Sequence, residues 1–424
     1  MSDVEFNRMG ETRTRVAPSP TGIIHVGTGY ISLFNWAYAR KNKGKFILRL
    51  EDTDIKRYVK GAEDVIDEGL RWLGLVPDEK YKQSDRLNIY KEKAKELIDK
   101  GFAYEDQGAI RFKNPGSDIT FTDLVRGEIT FPGSEVTDFV IVRSDGMPLY
   151  NFVVTVDDIE MKISHIIRGE EHISNTPRQL VLYKAFGVTP PKIAHIPLLR
   201  NPDRSKISKR KNPVSLLWYR EEGYLPEALL NFFALLGWSH PEGKEIFNLE
   251  EFIKVFDFEH IHKTGPVFDM GKLDWINGEY IRRTQNLDLK TQIYEFLNKK
   301  YSEDLIEETI PLIKDRINKL SDYWPLAGFF FDKPKADKKL FGEKYKEHLE
   351  SARRGLEEIG EWDIETLNTK LMDVVIKNNF KTGDFFMDLR VAITGSKFTP
   401  PINDSIVILG KNETLDRLRK SLEL

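Results

Sequence analysis

Apolar and polar positions follow two textures along this chain, and the change between them divides it. In the first half, short apolar runs alternate with longer segments of helical spacing. Arg13–Ala17 and Phe46–Leu50 predict strands, with an apolar helix from about Ile31 to Arg40 between them. Two more helices are expected near Ala62–Leu73 and Arg86–Lys100. Strand, helix, strand with tight connections is the mark of a parallel, doubly wound α/β sheet. Between Gly101 and Arg143, glycine, proline and the runs Ala109–Phe112, Glu128–Phe131 and Phe139–Val142 predict a small β-rich insertion. The first texture resumes with His165–Arg168, a helix over Thr176–Phe186, and Ile193–Leu199. From Leu216 onward the pattern is almost wholly helical, and Pro325 and Lys333–Lys339 are expected to mark loops or sub-domain edges.

Composition narrows the class. A chain of 424 residues, 40% hydrophobic, holds more than one core, and two to four domains are expected. The formal net charge of -3 does not announce a polyanion partner, although a basic face can sit inside a near-neutral total. With no cysteine, disulfides and cysteine-based zinc sites are excluded, which fits a reducing cytoplasmic setting. The first residues, MSDVEFNRMGETRTR, carry no apolar signal core. The most apolar stretch, Leu229–Trp238, is too short to cross a bilayer and contains Asn231, so it predicts a buried helix and no membrane association.

Two segments carry candidate chemistry. In RVAPSPTGIIHVGTGY, Arg15–Tyr30, a strand ends in two prolines and a glycine-bearing loop that opens onto a helix. Unpaired amides and the helix dipole make such a helix start an anion site, and His25 in the loop can donate to a phosphate oxygen. Taken alone, a structural turn with an incidental histidine fits equally well. In RNPDRSKISKRKNP, Arg200–Pro213, Lys206, Lys209, Arg210 and Lys211 crowd a proline-flanked loop. By itself such a run also reads as a solvated surface loop. Both segments follow strands, however, so they can meet at the C-terminal edge of one sheet and grip a triphosphate from two ends.

His25-Val26-Gly27-Thr28 resembles the HIGH motif of class I aminoacyl-tRNA synthetases, and Lys206-Ile207-Ser208-Lys209-Arg210 resembles KMSKS. RVAPSPTG, LEDTD (Leu50–Asp54), RGEEHISNTPRQ (Arg168–Gln179), PLLRNPD (Pro197–Asp203) and GPVFDMGKLDWINGEYIR (Gly265–Arg282) are similar to bacterial glutamyl-tRNA synthetases, in order, across the chain. The resemblance implies a Rossmann-type catalytic domain over 12–102 and 144–213 and a shortened acceptor-binding insertion of α+β type over 103–143. It further implies a stem-contact region over 214–285 and an all-α anticodon-binding region over 286–424. The implied activity joins L-glutamate to tRNA(Glu) through a glutamyl-adenylate, with ATP and its Mg²⁺, no zinc, and a monomeric enzyme whose activation depends on bound tRNA.

The resemblance also assigns residues. Arg15, Ala17, Ser19, Glu51, Tyr150 and Arg168 correspond to the glutamate pocket, with Arg15 on the side-chain carboxylate, Arg168 near the α-carboxylate and Glu51 near the ammonium. Planar guanidinium forks suit two carboxylates. Thr21, His25, Gly27, Glu171, His172, Leu199, Lys206, Ile207 and Lys209 correspond to the ATP site, with catalytic roles for His25, Lys206 and Lys209. Arg316 falls where the family reads an anticodon base. His195 is expected behind the nucleotide site, and His260 and His262 in surface or capping roles. Thr28, Ile207 and Arg210 depart from the signature motifs in ways the glutamyl enzymes share. Tyr104–Phe139 is shorter than the usual insertion but keeps Asp123, Arg126 and Gly127. An enzyme that also charges tRNA(Gln) stays open, and a silent tRNA-binding paralogue is disfavoured.

Overall fold

Alternation in RTRV and KFILRL gives β1 (Arg13–Val16) and β2 (Lys45–Leu50), parallel with Arg15 opposite Ile47. The structure is a computed structural model, and it describes residues 10–54, 57–205, 207 and 213–424. Between the strands runs α1 (Val26–Lys41), which begins earlier than the apolar pattern suggests. Its start is set by a cap: the His25 ring Nδ1 accepts from the Gly27 amide at 2.9 Å, satisfying one of the first-turn donors. After α2 (Ala62–Trp72) comes β3 (Glu79–Lys82), parallel to β2. Its sequence, EKYK, has no apolar run because it is the edge of the sheet, which is why apolar patterning misses it.

Beyond α3 (Leu87–Asp99), the insertion is built from five strands and contains no α-helix. β4 (Ala103–Asp106), β5 (Ala109–Phe112) and β8 (Phe139–Val142) form an antiparallel sheet; β6 (Ile119–Asp123) and β7 (Gly127–Phe131) form a hairpin between them. Tyr90, Leu97, Phe112, Ile141, Phe152, Val156 and Leu182 make one core that ties the three-stranded sheet to the helices around it. The chain continues through α4 (Tyr150–Glu160), β9 (His165–Gly169), α5 (Thr176–Phe186) and β10 (Lys192–Ile196). β10 stops short of Leu199 because Pro197 has no amide to continue the ladder.

β9 and β10 are parallel with Arg168 opposite His195, and β10 meets β6 at Ile193 and Asp123. β9 also lies beside β1, where the Ser164 amide donates to the Arg13 carbonyl at 2.9 Å. Chain order therefore reverses at the β1–β9 boundary. The carboxyl ends of those two strands open on one crevice, the usual ligand position in such sheets. α6 (Leu216–Glu221), α7 (Pro226–Gly237) and α8 (Leu249–Val255) complete this unit, which runs to Glu221 and takes in Leu225–Ile276. α7 is the buried helix expected around Leu229, and Asn231 inside it accepts from the Phe247 amide. Mixed α/β with parallel strands here is the expected fold class.

α9 (Met270–Arg283) leads into a second unit, Glu222–Tyr224 with Asn277–Leu424, whose remaining secondary structure is helical. It contains α10 (Asn286–Phe296), α11 (Glu303–Ile313), α12 (Tyr323–Phe331), α13 (Tyr345–Glu357), α14 (Ile364–Lys377), α15 (Thr382–Thr394) and α16 (Ile402–Leu422), the last broken at Gly410. Leu349, Leu356, Leu371, Phe385, Leu389, Ile406 and Leu418 form its core. Pro325 does not mark an edge, contrary to the sequence expectation. It sits in the first turn of α12, where its missing amide costs nothing.

One buried base makes the fold acid-sensitive. His165, 1% exposed on β9, has Nδ1 2.9 Å from Ser164 Oγ and Nε2 3.0 Å from the Tyr38 hydroxyl. Burial first, and Lys192 second, push its pKa down from 6.5 to about 3. Between those values the unfolded chain binds the extra proton and the folded one does not, so stability falls as pH drops through this window. Urea unfolding at a series of pH values should show a shallower acid loss in His165→Gln than in the parent between pH 6.5 and about 5. Equal slopes would remove His165 as the source.

Candidate functional site

The crevice at the carboxyl ends of β1 and β9 is a cavity of about 340 Å³. Arg15, Ala17, His25, Gly27, Glu51, Tyr150, Arg168, Glu171, His172, Leu199 and Ile207 all line it. Ser19 and Thr21 line instead a neighbouring recess of about 20 Å³, which shares Glu51 with the main cavity. Lys206 and Lys209 lie outside the described residues. Arg316 belongs to the second unit, exposed in a 3-10 turn after α11 and close enough to Arg390 to add to the lowering of that guanidinium's pKa by burial.

The two cavity arginines are in opposite electrostatic states. Arg15, 5% exposed, holds Asp158 through Nε and Nη2 at 3.2 and 3.3 Å, and no described residue hydrogen-bonds its Nη1. Asp158 also accepts from Arg49 Nη1 at 2.5 Å. Burial alone would raise the Asp158 pKa, but Arg15 and Arg49 outweigh it and hold the carboxyl below its usual range. Arg168, also 5% exposed, has only neutral partners: Nε donates to His195 Nε2 at 3.1 Å, Nη1 to Gln179 at 2.8 Å and Nη2 to Thr176 at 2.8 Å. No carboxylate among the described residues pairs with it. A buried charge left without a counter-ion costs several kcal/mol, so this cavity carries a standing demand for an anion.

The acid opposite is less firmly ionised. Burial raises the Glu51 pKa more than Arg49 and Arg15 lower it, with Arg49 Nη2 3.4 Å from its carboxylate. A cationic group arriving there would complete its ionisation. Tyr150 stacks on His172, with its hydroxyl 3.2 Å from the ring Nδ1, and burial first, then Glu51, pushes the phenol up to about 12. At the mouth of α1, the Gly27 amide occupies His25 Nδ1, so a neutral ring carries its proton on Nε2. A side chain at Gly27 would approach that nitrogen to 3.1 Å. His260 and His262 are accounted for locally: His260 Nδ1 lies 2.8 Å from Asp257 Oδ1, and His262 Nδ1 3.1 Å from the Leu236 carbonyl. Among the described residues no group of three His, Cys, Asp or Glu side chains could hold a metal.

Sequence reasoning missed Arg49, Asp157 and Asp158. Arg49 is fully buried in β2, with Asp158 and Asp157 of α4 on it; Asp157 also accepts from Gln83, Arg86 and Tyr90. The signal was present: an aspartate pair inside the apolar helix YNFVVTVDDIE, and one arginine inside the strand KFILRL. Charges at such positions persist only when paired.

Fold and cavity together define a nucleotide-type α/β enzyme whose site is built for an anionic ligand. The family model described as "tRNA synthetases class I (E and Q), catalytic domain" matches residues 11–110 and 105–275, and one described as "Anticodon binding domain" matches residues 285–422. A glutamate–tRNA ligase of Acidothermus cellulolyticus is 38% identical over 480 residues, covering 96% of this chain and 95% of that protein. One from Dehalococcoides mccartyi is 38% identical over 473 residues, covering 97% of each. Both alignments are longer than the 424-residue chain, so those relatives carry segments this chain lacks. The crystal structure of a glutamate tRNA ligase from Elizabethkingia meningosepticum, in complex with its amino acid, superposes with a TM-score of 0.87 at 30% identity over 98% of this chain and 99% of that one. The chain belongs to the class I tRNA synthetases of the E and Q family, and within it to the glutamate–tRNA ligases. No described helix is long and apolar enough to cross a membrane.

The shared counter-ion is open to test. Asp158→Asn strands the buried Arg15 guanidinium and removes the nearest of the carboxylates around Arg49, and should cost about 3–5 kcal/mol in denaturant unfolding. Asp99→Asn, which breaks the exposed pair with Lys95, should cost under about 1 kcal/mol. Equal losses would show that Asp158 is not the counter-charge of this site.

Proposed function

We propose that the protein joins L-glutamate to tRNA(Glu) in two steps, with ATP as the co-substrate. The observation that carries this reading is the buried Arg168 guanidinium with neutral partners only, in the same cavity as Arg15. One carboxylate of the substrate supplies the counter-ion that Arg168 lacks. The other meets Arg15, whose Asp158 pair uses one edge of the fork and leaves Nη1 for a ligand. Glu51 takes the ammonium, with Ala17, Ser19 and Tyr150 around the amino acid. Glutamine offers Arg15 no charge, which supports selection for the acid.

In the first step an oxygen of the α-carboxylate attacks the ATP α-phosphorus in line. The bond to the β-phosphate oxygen breaks, and pyrophosphate leaves with its electron pair. There is little covalent work for the protein, so its part is positioning and charge neutralisation. The His25 Nε2–H donates to the phosphates and the positive end of the α1 dipole favours their charge; Lys206 and Lys209 steady the pyrophosphate end. Thr21, Glu171, His172, Leu199 and Ile207 surround the nucleotide. Mg²⁺ carried by the nucleotide would supply charge neutralisation at the phosphates. In the second step a ribose hydroxyl at the tRNA terminus attacks the activated carbonyl and AMP leaves. Arg316 in the helical unit reads an anticodon base, the role an arginine fork plays best.

ATP–pyrophosphate exchange should appear with glutamate when tRNA(Glu) is present, and charging should be seen on tRNA(Glu). No exchange with glutamate, either with or without tRNA, would remove the reading; equal charging of tRNA(Gln) would make the enzyme non-discriminating. Arg15→Lys keeps the charge beside Asp158 but loses the fork. It should raise the glutamate KM about tenfold or more, with the ATP KM little changed.

A further inference from the structure

Arg168 does not hold its own position. Its Nε–H donates to His195 Nε2, so that nitrogen must carry a lone pair and the ring proton must sit on Nδ1. This tautomer is dictated from the other side. His195 is fully buried, and its Nδ1 lies 2.6 Å from Asp123 Oδ2, which also accepts the His195 amide at 3.1 Å. The second carboxylate oxygen of Asp123 accepts the amides of Val125 and Arg126 at 2.9 and 3.0 Å. Every contact made to this carboxylate is a donor, so it is ionised and acts as an acceptor alone.

The backbone makes the chain of contacts rigid. His195 and Arg168 are register partners on parallel β10 and β9, and Asp123 closes β6 where that strand meets β10. Asp123 stands at the hairpin of the insertion, and Arg168 lines the cavity. Burial, opposed by Asp123 and aided by Arg168, keeps the His195 ring below its ordinary pKa and therefore neutral. A protonated or reversed ring would set an N–H against the Arg168 N–H and remove its acceptor.

We propose that Asp123 and His195 are positioning residues for amino-acid binding: the carboxylate of the inserted hairpin fixes the His195 tautomer, and that ring aims the Arg168 fork at its carboxylate ligand. The inference rests on the reading of Arg168 as a glutamate contact. It adds that the hairpin, which touches no substrate through Asp123, sets glutamate affinity by way of His195.

The test uses the full chain in glutamate-dependent ATP–pyrophosphate exchange with tRNA(Glu) present, measuring KM for glutamate and for ATP separately. His195→Asn keeps a donor for Asp123 and withdraws the acceptor from Arg168. It should raise the glutamate KM about tenfold or more with the ATP KM within about twofold. His195→Gln can return an acceptor near the Nε2 position and should recover part of the loss. Asp123→Asn keeps an oxygen for the Val125 and Arg126 amides and places its amide nitrogen against Nδ1, which reverses the tautomer, and should raise the glutamate KM as His195→Asn does. Equal rises in both KM values, or no recovery in His195→Gln, would overturn the proposal in favour of a structural role. Should Asp123→Asn fail to fold, the Asn and Gln variants at His195 decide alone. Arg168→Lys separates the two readings: an unchanged glutamate KM in that variant sinks the contact itself, whereas a raised KM there beside unchanged values at His195 and Asp123 sinks only the positioning.

Discussion

The site depends on one buried cation that the protein declines to neutralise. Arg168 is surrounded by a histidine, a threonine and a glutamine amide, each of which satisfies an N–H and none of which supplies charge. Leaving that guanidinium without a counter-ion is unfavourable in the free protein, and the deficit is returned when a carboxylate binds. Arg15, 143 residues from its partner Asp158 in sequence, shows the contrasting arrangement in the same cavity: charge neutralised in advance, geometry left available. One arginine thus sits in the cavity uncompensated, and the other is compensated before any ligand arrives.

The sheet makes this possible. Arg15 and Arg168 lie toward the carboxyl ends of neighbouring strands β1 and β9, at a boundary where chain order reverses. The same boundary brings in α1 with His25 at its cap, so the start of that helix and the two arginines share a crevice without any long loop. Asp158 and Asp157, on α4 before β9, reach back under the site to Arg49 and close the buried network from behind.

Much of this was legible in the sequence because the informative residues stand at element ends, where pattern and motif coincide. The strands, the helix over Thr176–Phe186 and the helical second half follow from periodicity, and the turn into α1 follows from its glycines before a helix. Three kinds of feature were not legible. The edge strand β3 has no apolar run, since both its faces are partly open to solvent. α1 begins at Val26 and not near Ile31, because a side-chain cap whose partner is two residues on outweighs two glycines. The buried charges Arg49, Asp157 and Asp158 interrupt apolar runs without any local cue to their partners, which lie on other elements. Ser19 and Thr21 line the smaller recess, which shares Glu51 with the main cavity.

The most direct test is a crystal structure of this protein grown with L-glutamate. The account requires one carboxylate within hydrogen-bonding distance of the Arg168 fork, the other at Arg15, and the ammonium facing Glu51. Glutamate bound with both carboxylates away from Arg168, or a native chloride or protein carboxylate already neutralising that guanidinium, would contradict it.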